Sequence, residues 1–176
     1  MVDLVGTRVR LRSLTLEDVE PLAAAMEVDR RSLGPGGEVA RERLRKQVER
    51  NPTLEDGNFV DLAVEAEGRL VGDVQARRPP QAFPGGVCEI GISLFADAQG
   101  QGYGREAVTL FTDYLFAEGL ERVQASTAVD NGAMRRVLEL VGYGFEGVLR
   151  SYGPTPDGAR EDYAMYATIR ADWPPR

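Results

Sequence analysis

The sequence predicts a mixed α/β (α+β) domain with about seven strands and about four helices, and three stretches carry that reading. FVDLAVEAEGRLVGDVQ (59–75) is two apolar runs folded about Glu67-Gly68, the pattern of a β-hairpin. VCEIGISLF (87–95) is apolar at nearly every position, as expected of a strand covered on both faces. EAVTLFTDYLFAEGL (106–120) repeats Ala107, Val108, Phe111 and Leu115 at helical spacing. With 176 residues, 43% hydrophobic and 28% charged, the chain can close one core, so residues 1–176 read as a single domain.

The remaining elements follow in order. VRLRSL (9–14) alternates apolar and charged residues as an edge or half-buried strand does. Thr15 can cap a helix with Leu16, Val19, Leu22 and Met26 on one side and Asp18 in its first turn. GPGG (34–37) breaks the pattern before a strongly charged helix over about 38–50. After the hairpin, RRPPQAFPGG (77–86) is a loop, and Gly119 ends the helix that follows the apolar strand. RVQASTAV (122–129) is a strand, MRRVLELVGY (134–143) a short helix with Val137, Leu138 and Val141 on its apolar side, and YGFEGVLRSY (143–152) a strand. GPTPDG (153–158) is a loop leading into the last strand, DYAMYATIR (162–170). No repeat or long linker interrupts the order β-α-α-β-β-β-α-β-α-β-β.

What the sequence lacks narrows its chemistry. With no histidine, a Ser-His-Asp triad, a Cys-His pair and an imidazole zinc site are excluded, and no metal is expected. Lys46, the one lysine, lies in RERLRKQVER, where a solvated helix face is its natural place. Cys88 cannot form an internal disulfide and reads as core. No run of about 18 apolar residues and no signal-peptide pattern occurs, so a cytoplasmic protein without membrane contact is expected. A net charge of −7 argues against nucleic-acid binding and tolerates a cationic substrate.

Between the apolar strand and the following helix lies AQGQGYGREAV (98–108), with three glycines in five positions. A helix N-terminus presents unpaired N–H groups and partial positive charge, and glycines let a phosphate approach them. The stretch is neither a P-loop nor the G-x-G-x-x-G dinucleotide pattern. Taken alone, it fits an anion cradle or a glycine turn kept for packing.

Gln99-Gly100-Gln101-Gly102-Tyr103-Gly104 matches the [QR]-x-x-G-x-[GA] signature of the GNAT superfamily of acetyl-CoA-dependent N-acyltransferases. CEIGISL (88–94) resembles that family's fourth strand. VDNGAMRRVLELVGYGFEGVLRSY (129–152) resembles the asparagine-to-glycine helix and sixth strand of its RimJ/RimL-like branch. The resemblance runs from residue 9 to 169 and implies one mostly antiparallel sheet flanked by helices, with acetyl-CoA as cofactor. By the same resemblance, the pantetheine arm lies in a splay between the fourth and fifth strands, against the backbone of Ile92, Ser93 and Leu94. The pyrophosphate would rest on backbone N–H groups of Gln99, Gly100, Gln101, Gly102, Tyr103 and Gly104, with Arg105 adding charge. Asn131 matches the family asparagine that reaches the pantetheine region; a turn and helix cap is its plainer reading.

The implied reaction is amine attack on a thioester, which needs a base. Without histidine the base is a carboxylate, and Glu89 is the candidate: a carboxyl in an apolar strand needs a partner or a purpose. A structural pair with an arginine is the alternative. The family's tyrosine acid is replaced here by Leu138, and the branch's serine by Met134; Tyr143 and Tyr152 are the substitutes at hand. In the family the acceptor site is walled by the loops matching residues 28–37 and 151–160. Asp29, Glu38, Asp157, Glu161 and Asp162 stand in or beside them, where they could attract an amine or be ordinary surface charge. The expected enzyme acetylates a protein N-terminal or small-molecule amine; the competing reading is a noncatalytic acyl-CoA-binding module. Acceptor, acyl chain and oligomeric state, a homodimer among the options, are not fixed by the sequence.

Overall fold

In the computed structural model, residues 1–28, 37–50, 59–78, 84–155 and 158–174 are described. Among these residues, eight strands form one sheet: β1 Asp3–Val5, β2 Val9–Ser13, β3 Phe59–Ala66, β4 Arg69–Arg77, β5 Val87–Leu94, β6 Arg122–Ala128, β7 Gly144–Pro154 and β8 Arg160–Ile169. Their spatial order is β1-β2-β3-β4-β5-β6-β8-β7, antiparallel throughout except where β5 meets β6. The helices are α1 Val19–Val28, α2 Gly37–Arg50, α3 Tyr103–Ala117 and α4 Gly132–Val141. The expected mixed, mostly antiparallel sheet and four helices are present. The extra strand, β1, is three residues long and becomes a strand by pairing with β2, which no periodicity of so short a segment could announce.

Period-two alternation sorts the sheet's side chains onto two faces. One face, with Leu11, Val64, Val74, Ile90, Val123 and Ala125, packs against Phe111 and Leu115 of α3 and Leu138 of α4. Each fully buried side chain of this kind contributes about 1.5–3 kcal/mol. The opposite face carries Ala63 and receives Leu22, Ala23 and Met26 of α1 and Ala40 and Leu44 of α2. Helices on both faces make a three-layer arrangement.

Three local features differ from the sequence expectation. A 3-10 turn at Leu16–Asp18 precedes α1, and Leu16 is exposed rather than on the buried face. Asp18 accepts hydrogen bonds from the Thr15 N–H (2.7 Å) and hydroxyl (2.9 Å) and from Arg12 (2.6 Å), which fixes that turn. Gly153 and Pro154 belong to β7, paired with Glu161 and Arg160, so the loop expected from 153 begins later. Most important, β5 is buried from Cys88 to Ile90 but only half-buried from Gly91 to Leu94. Its pairing with β6 runs from Val87↔Arg122 to Glu89↔Gln124 and stops, while β5 continues to Leu94 and β6 to Ala128. Past Glu89 the strand has lost a neighbour.

Candidate active site

The parting of β5 and β6 opens a pocket of about 1000 Å³. Ile90 to Leu94 line one side and Ser126 to Ala128 the other. On the α3/α4 side it reaches Gln99, Gly100, Gly102, Gly104 and Arg105, then Asn131, Met134, Arg136 and Val137. On the α1/α2 side it reaches Met26, Arg43, Asp73, Gln75, Glu161 and Tyr163. The cavity thus joins the glycine loop to the opposite helical layer through the sheet, a setting in which a ligand's two ends meet different chemistry.

The glycine loop owes its shape to backbone conformation. Gly100 and Gly102 lie at φ 73° and 86°, the left-handed region that glycine enters without strain, and Gly102 is the residue that starts α3. A Cβ at Gly100 would meet nothing within 4 Å, so the loop's outer face is open. At Gly104, inside the helix, a Cβ would make ordinary contacts with Leu94 (3.5 Å) and Val137 (3.9 Å). Side chains brace the loop from behind: Gln99 donates to the Leu94 carbonyl (3.0 Å), Gln101 to the Asp97 carbonyl (2.7 Å), and Arg8 to the Gln101 carbonyl (2.9 Å). An open cradle of N–H groups on a 15-residue helix suits an anion such as a pyrophosphate.

The residues named from sequence fall into two groups. Ile92, Ser93, Leu94, Gln99, Gly100, Gly102, Gly104, Arg105 and Asn131 line the pocket. Tyr103 does not: its ring is buried beneath Arg8 and its hydroxyl donates to Glu67 (2.8 Å), and the Gln101 side chain is likewise turned to its Asp97 bond. Asn131 is also the cap of α4, accepting from the Met134 N–H (3.2 Å) and donating to Thr127 (3.0 Å), so the cap reading and the pocket position coexist.

Glu89 is 3% exposed and is not among the lining residues. Its Oε1 accepts from Arg77 of β4 (2.6 Å) and Ser126 of β6 (2.9 Å), and its Oε2 accepts from Gln124 at 3.4 Å. One carboxylate therefore ties three strands together at the vertex of the fork, the arginine-paired arrangement that was the alternative to a base.

Leu138 is buried in the core, whereas Met134 reaches the pocket. Tyr143 is buried with its hydroxyl on Thr112 (2.7 Å), where desolvation pushes its pKa up, and Tyr152 is exposed against the Tyr163 ring. Neither lines the cavity. Burial pushes the Cys88 thiol up to about 12, as suits a core cysteine. Lys46 pairs with Glu42 on the exposed side of α2. Of the acids proposed around the acceptor, Glu161 lines the pocket, Asp162 accepts from the Ser151 N–H (2.7 Å), and Glu38 pairs with Arg41 and Arg45. Asp29 and Asp157 lie outside the described residues, as does most of the 28–37 loop.

Sequence reasoning missed Asp61, Asp73, Gln75, Arg43 and Tyr163. Asp61 of β3 stands opposite Gln75, and Asp73 of β4 opposite Ala63, which places the two acids diagonally on the α1/α2 face. They are 7% and 1% exposed, and Asp61 Oδ1 and Oδ2 and Asp73 Oδ2 have no donor among the described residues. Burial raises both carboxyls; the Asp73 charge raises Asp61 further, and Arg43 of α2 opposes the shift in both. Asp61 and Asp73 share the hairpin face that α1 and α2 cover, and those helices are distant from them in sequence.

The chain matches the Acetyltransferase (GNAT) domain model over residues 8–144. It is 31% identical over 135 residues to the probable N-acetyltransferase YjcK of Bacillus subtilis (strain 168), covering 75% of this chain and 72% of the relative. The ribosomal-protein-S5-alanine acetyltransferase of Vibrio fischeri superposes with a TM-score of 0.80 at 24% identity, over 99% of this chain and 100% of that one. The Mycobacterium smegmatis RimJ, solved in complex with CoA-disulfide, gives 0.76 at 22% identity, over 95% and 84%. With a family model spanning most of its length and a fork opening onto a glycine-started helix, the chain belongs to the GNAT family of N-acetyltransferases.

Proposed function

We propose that this chain transfers an acetyl group from acetyl-CoA to a primary amine, by direct attack of the amine on the thioester. The observation that carries the reading is the fork: a pocket entered from the glycine loop on one side of the sheet and from an acid-lined cavity on the other. Acetyl-CoA, when bound, supplies an activated acyl carbonyl. The chain's own residues divide the remaining work. Backbone N–H groups at 99–104 hold the pyrophosphate, with Arg105 and Arg136 adding positive charge at the same mouth. Ile92, Ser93 and Leu94 offer an unpaired strand edge to the pantetheine amides, and Asn131 faces the same channel.

Glu89 keeps the vertex closed and the two edges at a fixed angle, because its bonds to Arg77, Gln124 and Ser126 span the strands that must part. The acceptor enters from the α1/α2 side, where Glu161 favours a cation. A protein N-terminal amine is the favoured acceptor, supported by the likeness to an S5-alanine acetyltransferase; small-molecule amines are the competing class.

The test is calorimetric titration with acetyl-CoA, followed by thiol release on a panel of free N-terminal peptides and small amines. Release that depends on the acceptor is the expected result. Tight binding with no release across the panel would overturn the transferase reading in favour of a noncatalytic acyl-CoA-binding module.

A further inference from the structure

Two features of the α1/α2 face stand apart from the vertex and from the glycine loop. Asp73 is nine-tenths buried or more, lines the pocket, and leaves Oδ2 without a donor. Asp61 lies behind it with both oxygens equally unmatched. Two buried carboxylates placed diagonally on neighbouring strands are costly to ionise together, and a proton held by one of them relieves that cost.

We propose that Asp73, backed by the proton that Asp61 holds, is the group that takes the proton from the acceptor ammonium. This rests on the transferase reading above. Asp73 is the cross-strand partner of Ser93, beside the edge offered to the pantetheine, and it faces the layer from which the acceptor enters. Among the described residues, the groups around it are few. Arg43 of α2 supplies a counter-charge, Glu161 and Tyr163 come from β8, and Met26 of α1 is apolar. Across Ala63, Arg12 of β2 is already bound to Asp18 and Glu65, and on the other flank Arg77 is bound to Glu89. Burial keeps the carboxyl's proton affinity high enough to compete for an ammonium proton.

One proton of the ammonium passes to Asp73, and the freed lone pair forms the N–C bond as the C–S bond breaks. Sulfur leaves with the electron pair of the C–S bond and takes the second nitrogen proton; Asp73 then returns its proton to solvent. Asp61 touches no substrate in this scheme and acts as a positioning residue, donating its hydrogen bond to the Asp73 carboxylate.

Infrared difference spectra of the wild-type chain, recorded across neutral pH, should retain a protonated-carboxyl stretch where exposed acids are fully ionised. Asp61→Asn should remove the part of it that persists above about pH 8, where Asp73 is ionised. With any peptide or amine that the wild type acetylates, Asp73→Asn should lower kcat about 100-fold or more while the acetyl-CoA Kd stays within about threefold. Asp61→Leu should move the rising limb of the pH profile to higher pH, and Asp61→Asn, which still donates, should restore it. Absence of the infrared band in the wild type, or an Asp73→Asn kcat within about threefold of wild type, would overturn the assignment. If the wild type binds acetyl-CoA but acetylates nothing in the panel, the transferase reading itself fails and the base falls with it. Normal turnover by Asp73→Asn sinks the base alone.

Discussion

Arg77 of β4 and Glu89 of β5 form a 2.6 Å ion pair at the last residue where β5 still pairs with β6. The carboxylate is nearly sealed and the guanidinium is one-third exposed. Such a pair fixes geometry more than it adds stability, because desolvation cancels much of the attraction. Removing one partner is another matter. Glu89→Gln leaves Arg77 without its counter-ion and should cost about 1–3 kcal/mol in chemical denaturation. Turnover and acetyl-CoA affinity should weaken together, as both depend on the fork. A fall in kcat alone, with stability and affinity intact, would instead make Glu89 the base.

The glycine loop allows a comparison between neighbours. Gly102→Ala forces an L side chain into φ 86° and should cost about 1–2 kcal/mol, weakening acetyl-CoA binding roughly tenfold by calorimetry. Gly104→Ala keeps a helical conformation and meets ordinary contacts, so its Kd should stay within about threefold. Equal losses at both positions would mean that bulk, and not backbone conformation, is what the loop excludes.

Gly153 of β7 lies directly against the Tyr163 ring, and a Cβ there would collide with that ring. Gly153→Ala should therefore displace Tyr163 within the acceptor side of the pocket. The expected signature is a KM for the acceptor amine raised severalfold with the acetyl-CoA Kd unchanged. An unchanged acceptor KM would place the acceptor away from β8.

The Asp61–Asp73 pair also has a consequence for stability. Burial raises both folded-state pKa values above those of the unfolded chain, Asp73 up to about 7. From about pH 4 upward the unfolded chain sheds these protons while the folded chain keeps them, so this pair's contribution to stability falls as pH rises toward about 7. Asp61→Asn removes one of the two acids. Its melting temperature should approach the wild type's at about pH 5 and exceed it at about pH 8, where the gain is on the order of 2 kcal/mol. Parallel melting curves at the two pH values would show that the pair is not strained.

Much of this molecule was legible in one dimension. The hairpin at 59–77, the helix after the glycines and the Gln99–Gly104 motif are local patterns, and local patterns are what period and turn chemistry report. The motif even located the glycines whose positive φ the loop requires. Glu89 was singled out as the candidate base from its place in an apolar strand, with an arginine pair as the alternative, but its partners Arg77, Gln124 and Ser126 lie 12 to 37 residues away.

By itself, then, the sequence determined the elements, the family resemblance and the loop chemistry, because those depend on neighbours within a few residues. The tertiary structure decided where β5 and β6 part, since a strand's last pair depends on which edge another strand can reach. It also decided which acid faces the pocket. Asp61 and Asp73 lie on one face of the hairpin, and only the docking of α1 and α2 over that face buries the two carboxyls.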